Sequence, residues 1–290
     1  AKGVGQQTYT GTVKVYTHIR KNLRVGGMMD VNARENKSFF ATDSRENPYE
    51  WAIYTTRAHR AYDKDGNYNY MYYNGMQYNF MENRNEGWRN AKGFSIRGTL
   101  DVEWRLLPDL IFTSLFSFSK QNTVDQDVAT DKSYFVKKRK EDVTELQGTT
   151  SVQLWYDGGY RKSKSSNNSS ITFRNQLAYM PVINDDHRFD VMVGQEVRTS
   201  KYEEEMTELY GYAHDRGHQL VPQWSLIESY GSPYWNESLN NSAAVSWYGV
   251  AGYTFRNRYT VSFNARADGS NRFGIKTNDL FQPLWSVGFN

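Results

Sequence analysis

Hydrophobic and polar residues alternate along several stretches of the chain. Between residues 8 and 19 one set of alternating positions carries Tyr9, Val13 and Val15, and the other set is almost entirely polar. Successive side chains of a β-strand point to opposite faces, so this pattern predicts a strand with one apolar face. A short polar break follows and the alternation resumes over residues 23–34, which predicts a hairpin.

The same design recurs along the chain. Further hairpins are predicted over residues 94–118, 171–197 and 245–267, with turns at 107–109, 184–187 and 256–258, and a last strand starts at Leu284. We expect about nine to eleven strands, each with an alternating segment of about ten residues, the length that a tilted strand needs to cross a bilayer.

Two kinds of connection separate the predicted strands. Turns within hairpins are about three to five residues long, whereas the connections between hairpins cover residues 35–92, 121–170 and 200–242, the second with room for a strand pair near 146–160. Short turns at one end and long loops at the other are typical of outer-membrane barrels, as are aromatic residues at strand ends. Such aromatic residues are Trp104, Phe118, Tyr179, Phe255 and Tyr259.

We therefore predict an all-β fold, an antiparallel transmembrane β-barrel segment with long extracellular loops. A soluble antiparallel sheet with one wet face gives the same alternation. In that alternative the apolar faces would pack together in a dry core between two sheets.

Composition is compatible with the barrel. The chain has 22 Tyr, 16% aromatic residues and six Pro, its mean hydropathy is −0.79, and no stretch is apolar enough for a transmembrane helix. Barrel strands average out as hydrophilic, so low hydropathy does not exclude them. The net charge of +3 is too balanced to indicate nucleic-acid binding. The absence of Cys excludes disulfides, thiolate metal sites and a catalytic thiol.

The last 45 residues carry a more specific signal. A hairpin of residues 247–253 and 258–264 leads into the run Ala265–Gly274, and an aromatic-Pro segment follows at Phe281–Phe289. This order resembles the SusC/RagA family of TonB-dependent outer-membrane transporters of Bacteroidetes. The family run is Arg-x-Asp-Gly-Ser-Ser-Arg-Phe-Gly, in which Asn271 here replaces a Ser; Leu284-Trp285 stands where the family tends to have Ser-Val. A weaker similarity is the Gly-Gln-Glu at residues 194–196.

The family run has a physical interpretation as well. The motif residues are Arg266, Asp268, Gly269, Arg272, Phe273 and Gly274. Asp268-Gly269-Ser270 permits a turn with positive φ at Gly269, and the three charged residues of the motif can form a network at the barrel rim. We interpret the run as structural rather than ligand-binding.

The resemblance implies a fold and a function. Residues 1–290 would be part of a single outer-membrane β-barrel domain, a 22-stranded barrel around a plug, within a longer polypeptide that carries the plug and the N-terminal regions. The function would be TonB-dependent import of a large nutrient, an oligosaccharide or a peptide. The implied partners are a SusD-like surface lipoprotein that caps the barrel, the TonB complex, which acts through regions outside this sequence, and outer-membrane lipid.

Two other function classes stay open from the residues alone. One is a smaller outer-membrane barrel, a passive porin or a hydrolase; the other is a soluble carbohydrate-binding β-sandwich. No Ser–His–Asp set or carboxylate pair can be singled out and His18 alone is poor support for a hydrolase, so we expect neither an enzyme nor a cofactor.

Aromatic residues in the predicted loops are the candidates for contact with ligand or lid. They are Tyr68, Tyr70, Tyr72, Tyr73, Tyr78 and Trp88 in the first loop, and Tyr234 and Trp235, with Tyr230 nearby, in the third. Rings and neighbouring amides suit both sugars and peptides, but such a loop can equally pack its aromatic residues against one another.

Two short stretches resemble metal sites only weakly. His214 and His218 are four residues apart, but Gly217 argues against the helix that this spacing needs. The run Asp63–Asn67 has oxygen ligands at alternating positions but lacks the closing bidentate Glu of a calcium loop. A polar loop and a Gly turn are the favoured interpretations.

Overall fold

The chain forms one large antiparallel sheet with additional structure at one of its ends. The computed structural model describes residues 3–42, 46–56, 58–147, 150–153, 155, 157–184, 186–219, 228, 234–272 and 281–290. The strands are β1 Gly5–Arg20, β2 Leu23–Phe39, β3 Met71–Tyr73, β4 Met76–Tyr78, β5 Gly87–Leu107, β6 Leu110–Ala129, β7 Thr144–Gln147, β8 Thr150–Gln153, β9 Gly159–Tyr179, β10 Val182–Asn184, β11 His187–Ala213, β12 His218–Gln219, β13 Trp235–Phe255, β14 Tyr259–Ser270 and β15 Phe281–Phe289. The helices are α1 Pro48–Tyr54, α2 Phe80–Asn85 and α3 Tyr134–Asp142.

Nine long strands follow one another across the sheet in the order β1-β2-β5-β6-β9-β11-β13-β14-β15. Each is antiparallel to its neighbours, and the short strands β10 and β12 pair with β11. All four predicted hairpins and the last strand are confirmed. The turn between β13 and β14 has positive φ at Arg256 and Asn257, the geometry of a tight hairpin turn that Asn tolerates well.

The strand register aligns the apolar positions of all nine strands on one face. Phe116, for example, lies between Leu100 on β5 and Phe173 on β9, and Phe173 lies opposite Val197 on β11. We call this side of the sheet the apolar face and the other side the polar face. Large side chains on the apolar face stay exposed; Val193 is 53% and Trp285 73% accessible. In the described part of the chain no second large sheet covers them, contrary to what the sandwich alternative predicts.

The first three hairpins are displaced in one direction, each relative to the one before it. Leu23 at the start of β2 lies opposite Trp104, and β5 continues beyond it to Leu107. Tyr179 lies opposite Leu110 on one side and Val191 on the other, and β11 begins earlier, at His187. β13 ends level with β11, since His187 lies opposite Phe255. Stagger of this kind accompanies the tilt of strands in a closing barrel.

The apolar face forms a band of limited height. On β6 it runs from Leu110 to Phe118, on β9 from Ile171 to Tyr179 and on β11 from Phe189 to Val197. Nine tilted residues at about 3.3 Å each span roughly 20–25 Å, which matches the apolar band of outer-membrane barrels.

The long connections are shorter than predicted because the strands continue past the apolar band. The ordered strands leave connections of residues 40–86, 130–158 and 214–234. The predicted strand pair near 146–160 is partly correct: β7 and β8 form a small separate hairpin, and Tyr160 already belongs to β9. We call the strand ends joined by these connections the loop end, and the opposite ends the turn end.

Buried residues lie mainly at the loop end. One cluster packs α3 against the sheet through Phe40, Phe135, Val136, Trp155, Tyr160 and Tyr210, and a second joins β3–β4 to α3. The helices are short, and none in the described ranges is long and apolar enough to cross a membrane.

Candidate functional site

The polar face carries charged residues of both signs that pair across strands. Near the turn end Arg24 contacts Glu103 at 2.9 Å and Asp101 at 3.9 Å. Further along the sheet Arg174 on β9 donates from Nε to Glu196 on β11 at 2.7 Å. Because neighbouring strands present these groups in register, the face is polar and its charges are largely paired.

The predicted motif pairs Arg266 with Asp268 on this face. The guanidinium Nε lies 2.8 and 2.7 Å from the two carboxylate oxygens of Asp268, and Nη2 donates to Ser246 Oγ at 3.1 Å. Arg272 does not join them, since its Nη2 donates to Asn240 Oδ1 at 2.8 Å. The predicted network therefore forms between two of its three members.

The predicted turn at Asp268–Ser270 is wrong. Gly269 lies within β14, opposite Val245 and Phe281, and the strand continues to Ser270 because both flanking strands pair with it. Phe273 and Gly274, the other motif positions, lie outside the described residues.

Between the apolar band and the loop end, the polar face carries further ion pairs. We call this part of the polar face, with Arg89, Asp127, Lys164 and Glu204, the charged wall. Arg89 Nη2 contacts Asp127 Oδ2 at 2.7 Å, and this hydrogen bond raises the pKa of Arg89. Lys164 contacts Glu204 at 2.9 Å, which raises the pKa of Lys164. A hydrogen bond from Tyr202 lowers the pKa of Glu204. Arg89, Lys164 and Glu204 therefore stay charged at neutral pH.

The carboxylate of Glu208 is buried on the polar face, at the edge of the charged wall nearer the loop end. Glu208 is 7% accessible, and its Oε1 accepts hydrogen bonds from Tyr160 at 2.7 Å and from Tyr210 at 3.0 Å. Burial, with the neighbouring carboxylate, raises the pKa of Tyr160 well above its usual value. The sequence did not single out this group, because a Glu on a polar strand gives no signal of burial.

The first connection packs some of the predicted candidates into its own core. Tyr73 and Tyr78 belong to a cluster with Tyr134, and Tyr78 is only 1% accessible. Burial raises the pKa of Tyr78. Both rings therefore hold the loop together; Tyr78 presents almost no surface to a ligand, and Tyr73 is half-buried.

Other tyrosines of this connection lie nearer the surface; Tyr62, Tyr70 and Tyr72 are exposed and Tyr68 is half-buried. Tyr68 stacks on Tyr62 at 5.5 Å between ring centroids and meets Tyr70 edge-on at 6.5 Å. The hydroxyl of Tyr70 donates to Glu82 at 3.1 Å, and Tyr72 is 76% accessible. We call Tyr62, Tyr68, Tyr70 and Tyr72 the tyrosine row. Tyr62 was not among the candidates predicted from the sequence, because it joins the row only through the isolated β-bridge between Tyr62 and Tyr68.

The remaining aromatic candidates lie elsewhere. Trp88, near the start of β5, lies on the side of the apolar face, and its ring is edge-on to that of His214 with 6.0 Å between the ring centroids. Trp235, on the same side, donates from Nε1 to Glu205 at 2.8 Å. The carbonyl of Tyr234 accepts from the backbone of Glu208 at 2.9 Å. Tyr230 lies outside the described residues.

The two weak metal candidates are explained by turns. Asp63 Oδ1 accepts from the backbone amides of Asp65 at 2.9 Å and Asn67 at 2.8 Å, and Gly66 has a φ of +86°. The hydrogen bond from Asn67 contributes most to lowering the pKa of Asp63. His214 and His218 flank the turn between β11 and β12, so they do not share a helix face. No group of three potential metal-binding residues occurs in the described part of the chain.

Comparison with known proteins gives structural matches only. No family model matches the chain and no curated protein does. The fold is similar to the RagAB peptide importer in the closed-closed state, with a TM-score of 0.72 over 99% of this chain at 16% identity. A second structure, of the RagAB peptide transporter, gives a TM-score of 0.73 at 15% identity over 99% of the chain.

A more distant match is the ferric citrate transporter FecA in its unliganded form, with a TM-score of 0.52 at 8% identity over 99% of this chain. The chain covers 30% of the RagAB chains and 33% of FecA, so it spans about a third of each. At these identities the matches establish the fold. The chain has the fold of part of a TonB-dependent outer-membrane transporter barrel of the RagA type, as the resemblance in its last strands implied.

Proposed function

We propose that residues 1–290 belong to one barrel domain and form part of the wall of an outer-membrane importer, through which a large nutrient passes in a TonB-dependent step. The observation that carries this proposal is the match of 99% of the chain to the RagAB peptide importer. The TM-scores of the two RagAB matches are above 0.7, whereas the TM-score of the FecA match is 0.52.

The orientation follows from the two faces of the sheet. The apolar face meets lipid, because the exposed side chains of its band would otherwise remain in water at a cost of about 25 cal/mol per Å². The polar face lines the wet interior, and the loop end is extracellular. Fixed, paired charges suit a wall that must stay hydrated while cargo passes.

For the cargo we propose a peptide rather than an oligosaccharide. RagAB, with the same fold, is a peptide importer. The charged wall also carries both signs of charge that the termini of a peptide bear, in the pairs Arg89–Asp127 and Lys164–Glu204. A neutral glycan would use few of these charges.

For the partner we propose a SusD-like surface lipoprotein that covers the loop end, with the TonB complex acting through other regions of the protein. The tyrosine row is the surface of the first connection that best fits such a lid. Tyrosines supply large contact area at a small entropic cost and are enriched in protein interfaces.

Uptake by living cells tests the transport proposal. We expect a strain lacking the full-length gene to lose uptake of labelled oligopeptides, and the complemented strain to lose it again when TonB is deleted or the proton gradient is collapsed. Uptake of labelled oligosaccharides should not depend on the gene. Loss of glycan uptake alone would overturn the peptide assignment, and uptake that ignores TonB would overturn energised import.

Point substitutions test the tyrosine row. We expect Tyr72→Ala, in the full-length protein, to weaken binding of the lid lipoprotein about thirtyfold in co-purification, since an interface hot-spot Tyr commonly contributes about 2 kcal/mol. Tyr49→Ala is the matched control, because Tyr49 is similarly exposed at 66% but lies on α1, outside the row. Equal retention of the lid by both variants would remove the row from the interface.

A further inference from the structure

Two lysines flank a serine at the upper edge of the apolar band. Ser169 on β9 lies opposite Lys120 on β6 and opposite Lys201 on β11. Side chains alternate along each strand, so both lysines share the side of Phe118 and Ile171, two residues nearer the turn end. Neighbouring strands are about 4.8 Å apart, so the two lysines stand about 10 Å apart over a small side chain.

A groove of about 530 Å³ lies at this place. Its apolar side chains are Phe118 and Ile171, two residues nearer the turn end than the lysines, and Ile96, which lies opposite Lys120. Ser169 and Asn241 lie level with the lysines. On β6 and β9 the groove thus changes from apolar to cationic and polar where the band ends.

The charge of the groove is positive. Lys120 forms no ion pair with any described residue, whereas Lys201 is paired with Glu203 on its own strand. The two ammonium groups and this carboxylate leave one net positive charge. A neutral partner would leave that charge uncompensated.

From these observations we propose that the groove binds the phosphorylated headgroup of an outer-leaflet lipid, with its acyl chains along Phe118 and Ile171. Lysines just beyond an apolar band extend their ammonium groups into the headgroup layer, where lipid phosphates lie. Phosphate oxygens accept charge-assisted hydrogen bonds from the ammonium groups, and the Ser169 hydroxyl can donate a further one. This goes beyond nutrient import and requires only that the apolar face meets lipid with the loop end outward.

Binding of defined lipids to the purified full-length protein tests the inference. The probes are diphosphoryl lipid A, the same lipid without phosphates, and inorganic phosphate, each titrated in detergent and followed by native mass spectrometry. We expect diphosphoryl lipid A to bind at least tenfold more tightly than the dephosphorylated lipid. A basic residue near the membrane surface contributes about 1 kcal/mol toward anionic lipid, so Lys120→Gln or Lys201→Gln should each weaken binding about fivefold.

Two matched variants complete the test. Lys120→Arg keeps the charge and should keep the affinity. Lys92→Gln is the control, because Lys92 is on the same side of β5 but outside the groove, 3.8 Å from Glu35. Equal binding of the two lipids, an equal loss with Lys92→Gln, or displacement of the lipid by millimolar phosphate would overturn the inference. Peptide uptake should be unchanged in the lysine variants, so the outcome is separate from that of the transport proposal.

Discussion

At the scale of single residues, three glycines of the main sheet lie directly across from an aromatic ring. The pairs are Gly26 with Tyr16, Gly98 with Phe118 and Gly194 with Tyr248. A Cβ added to any of these glycines would lie within 2.6 Å of the facing ring. The missing side chain lets the ring lie flat over the neighbouring strand, an arrangement known to support glycines in sheets.

The pair of Gly194 and Tyr248 provides a test. We expect Gly194→Ala to lower the free energy of unfolding by about 1–3 kcal/mol, because the new methyl overlaps the ring and forces it off its packed position. Urea unfolding of the full-length protein in lipid vesicles measures the change.

Gly249→Ala is the control for this substitution. A Cβ at Gly249 would meet Met192 O at 3.6 Å and Val193 Cγ1 at 3.8 Å, which are ordinary contacts. Its unfolding free energy should stay the same or rise by up to about 1 kcal/mol, since Ala loses less backbone entropy on folding. If both variants unfold alike, the ring does not rest on Gly194.

At the scale of strands, the sheet is taller than its apolar band. β9 shows this most clearly: Ile171 and Phe173 are apolar, whereas Ser163, Ser165, Asn167 and Ser169 on the same side are polar. A strand that leaves the lipid no longer needs an apolar side, so alternation disappears while the backbone pairing continues. The strands are therefore longer than any hydrophobic pattern indicates.

Labelling of single cysteines tests where β9 leaves the lipid. The protein has no Cys of its own, so each introduced thiol is unique. In intact cells we expect Ser165→Cys to react with a membrane-impermeant maleimide and Phe173→Cys to stay unlabelled, because only the first lies above the band. Both thiols should react after denaturation. Rapid labelling of Phe173→Cys in the folded protein would contradict contact of the apolar face with lipid.

At the scale of the whole molecule, the main sheet has two edges. Among the residues described, β1 pairs only with β2, and β15 pairs only with β14. Unpaired backbone groups are costly in lipid, so a spanning sheet must close on itself. Closure through further strands agrees with the fold match, in which this chain spans about a third of a transporter chain.

The need of the main sheet to close into a barrel predicts how residues 1–290 behave when they are expressed alone. Residues 1–290 expressed alone should fail to give a heat-modifiable, protease-resistant barrel in detergent, because β1 and β15 each have only one neighbouring strand among the described residues. The full-length protein, refolded in the same way, is the control and should give the mobility shift of a folded barrel on electrophoresis. A stable, monomeric, heat-modifiable 1–290 segment would show that these strands close by themselves.

Much of this fold could be predicted from the sequence, and the reason is physical. Inside the lipid band each strand must show one apolar and one polar face, so alternation reveals the strands, their pairing into hairpins and the short turns between them. The last strands, around Arg266 and Asp268, also carry a family resemblance that the structural matches confirm at the level of fold. These features depend on neighbours along the chain or directly across a hairpin.

The rest was decided by tertiary structure. The parts of β9 and β11 beyond the apolar band show no alternation of apolar residues, so the sequence does not reveal them. Gly269 belongs to a strand because two neighbouring strands pair with it. Burial of Tyr78 and exposure of Tyr72 were decided by the packing of β3 and β4 against α3, contacts between residues far apart in sequence. Alternation encodes which side of a strand is apolar; only long-range packing determines which loop residues remain exposed.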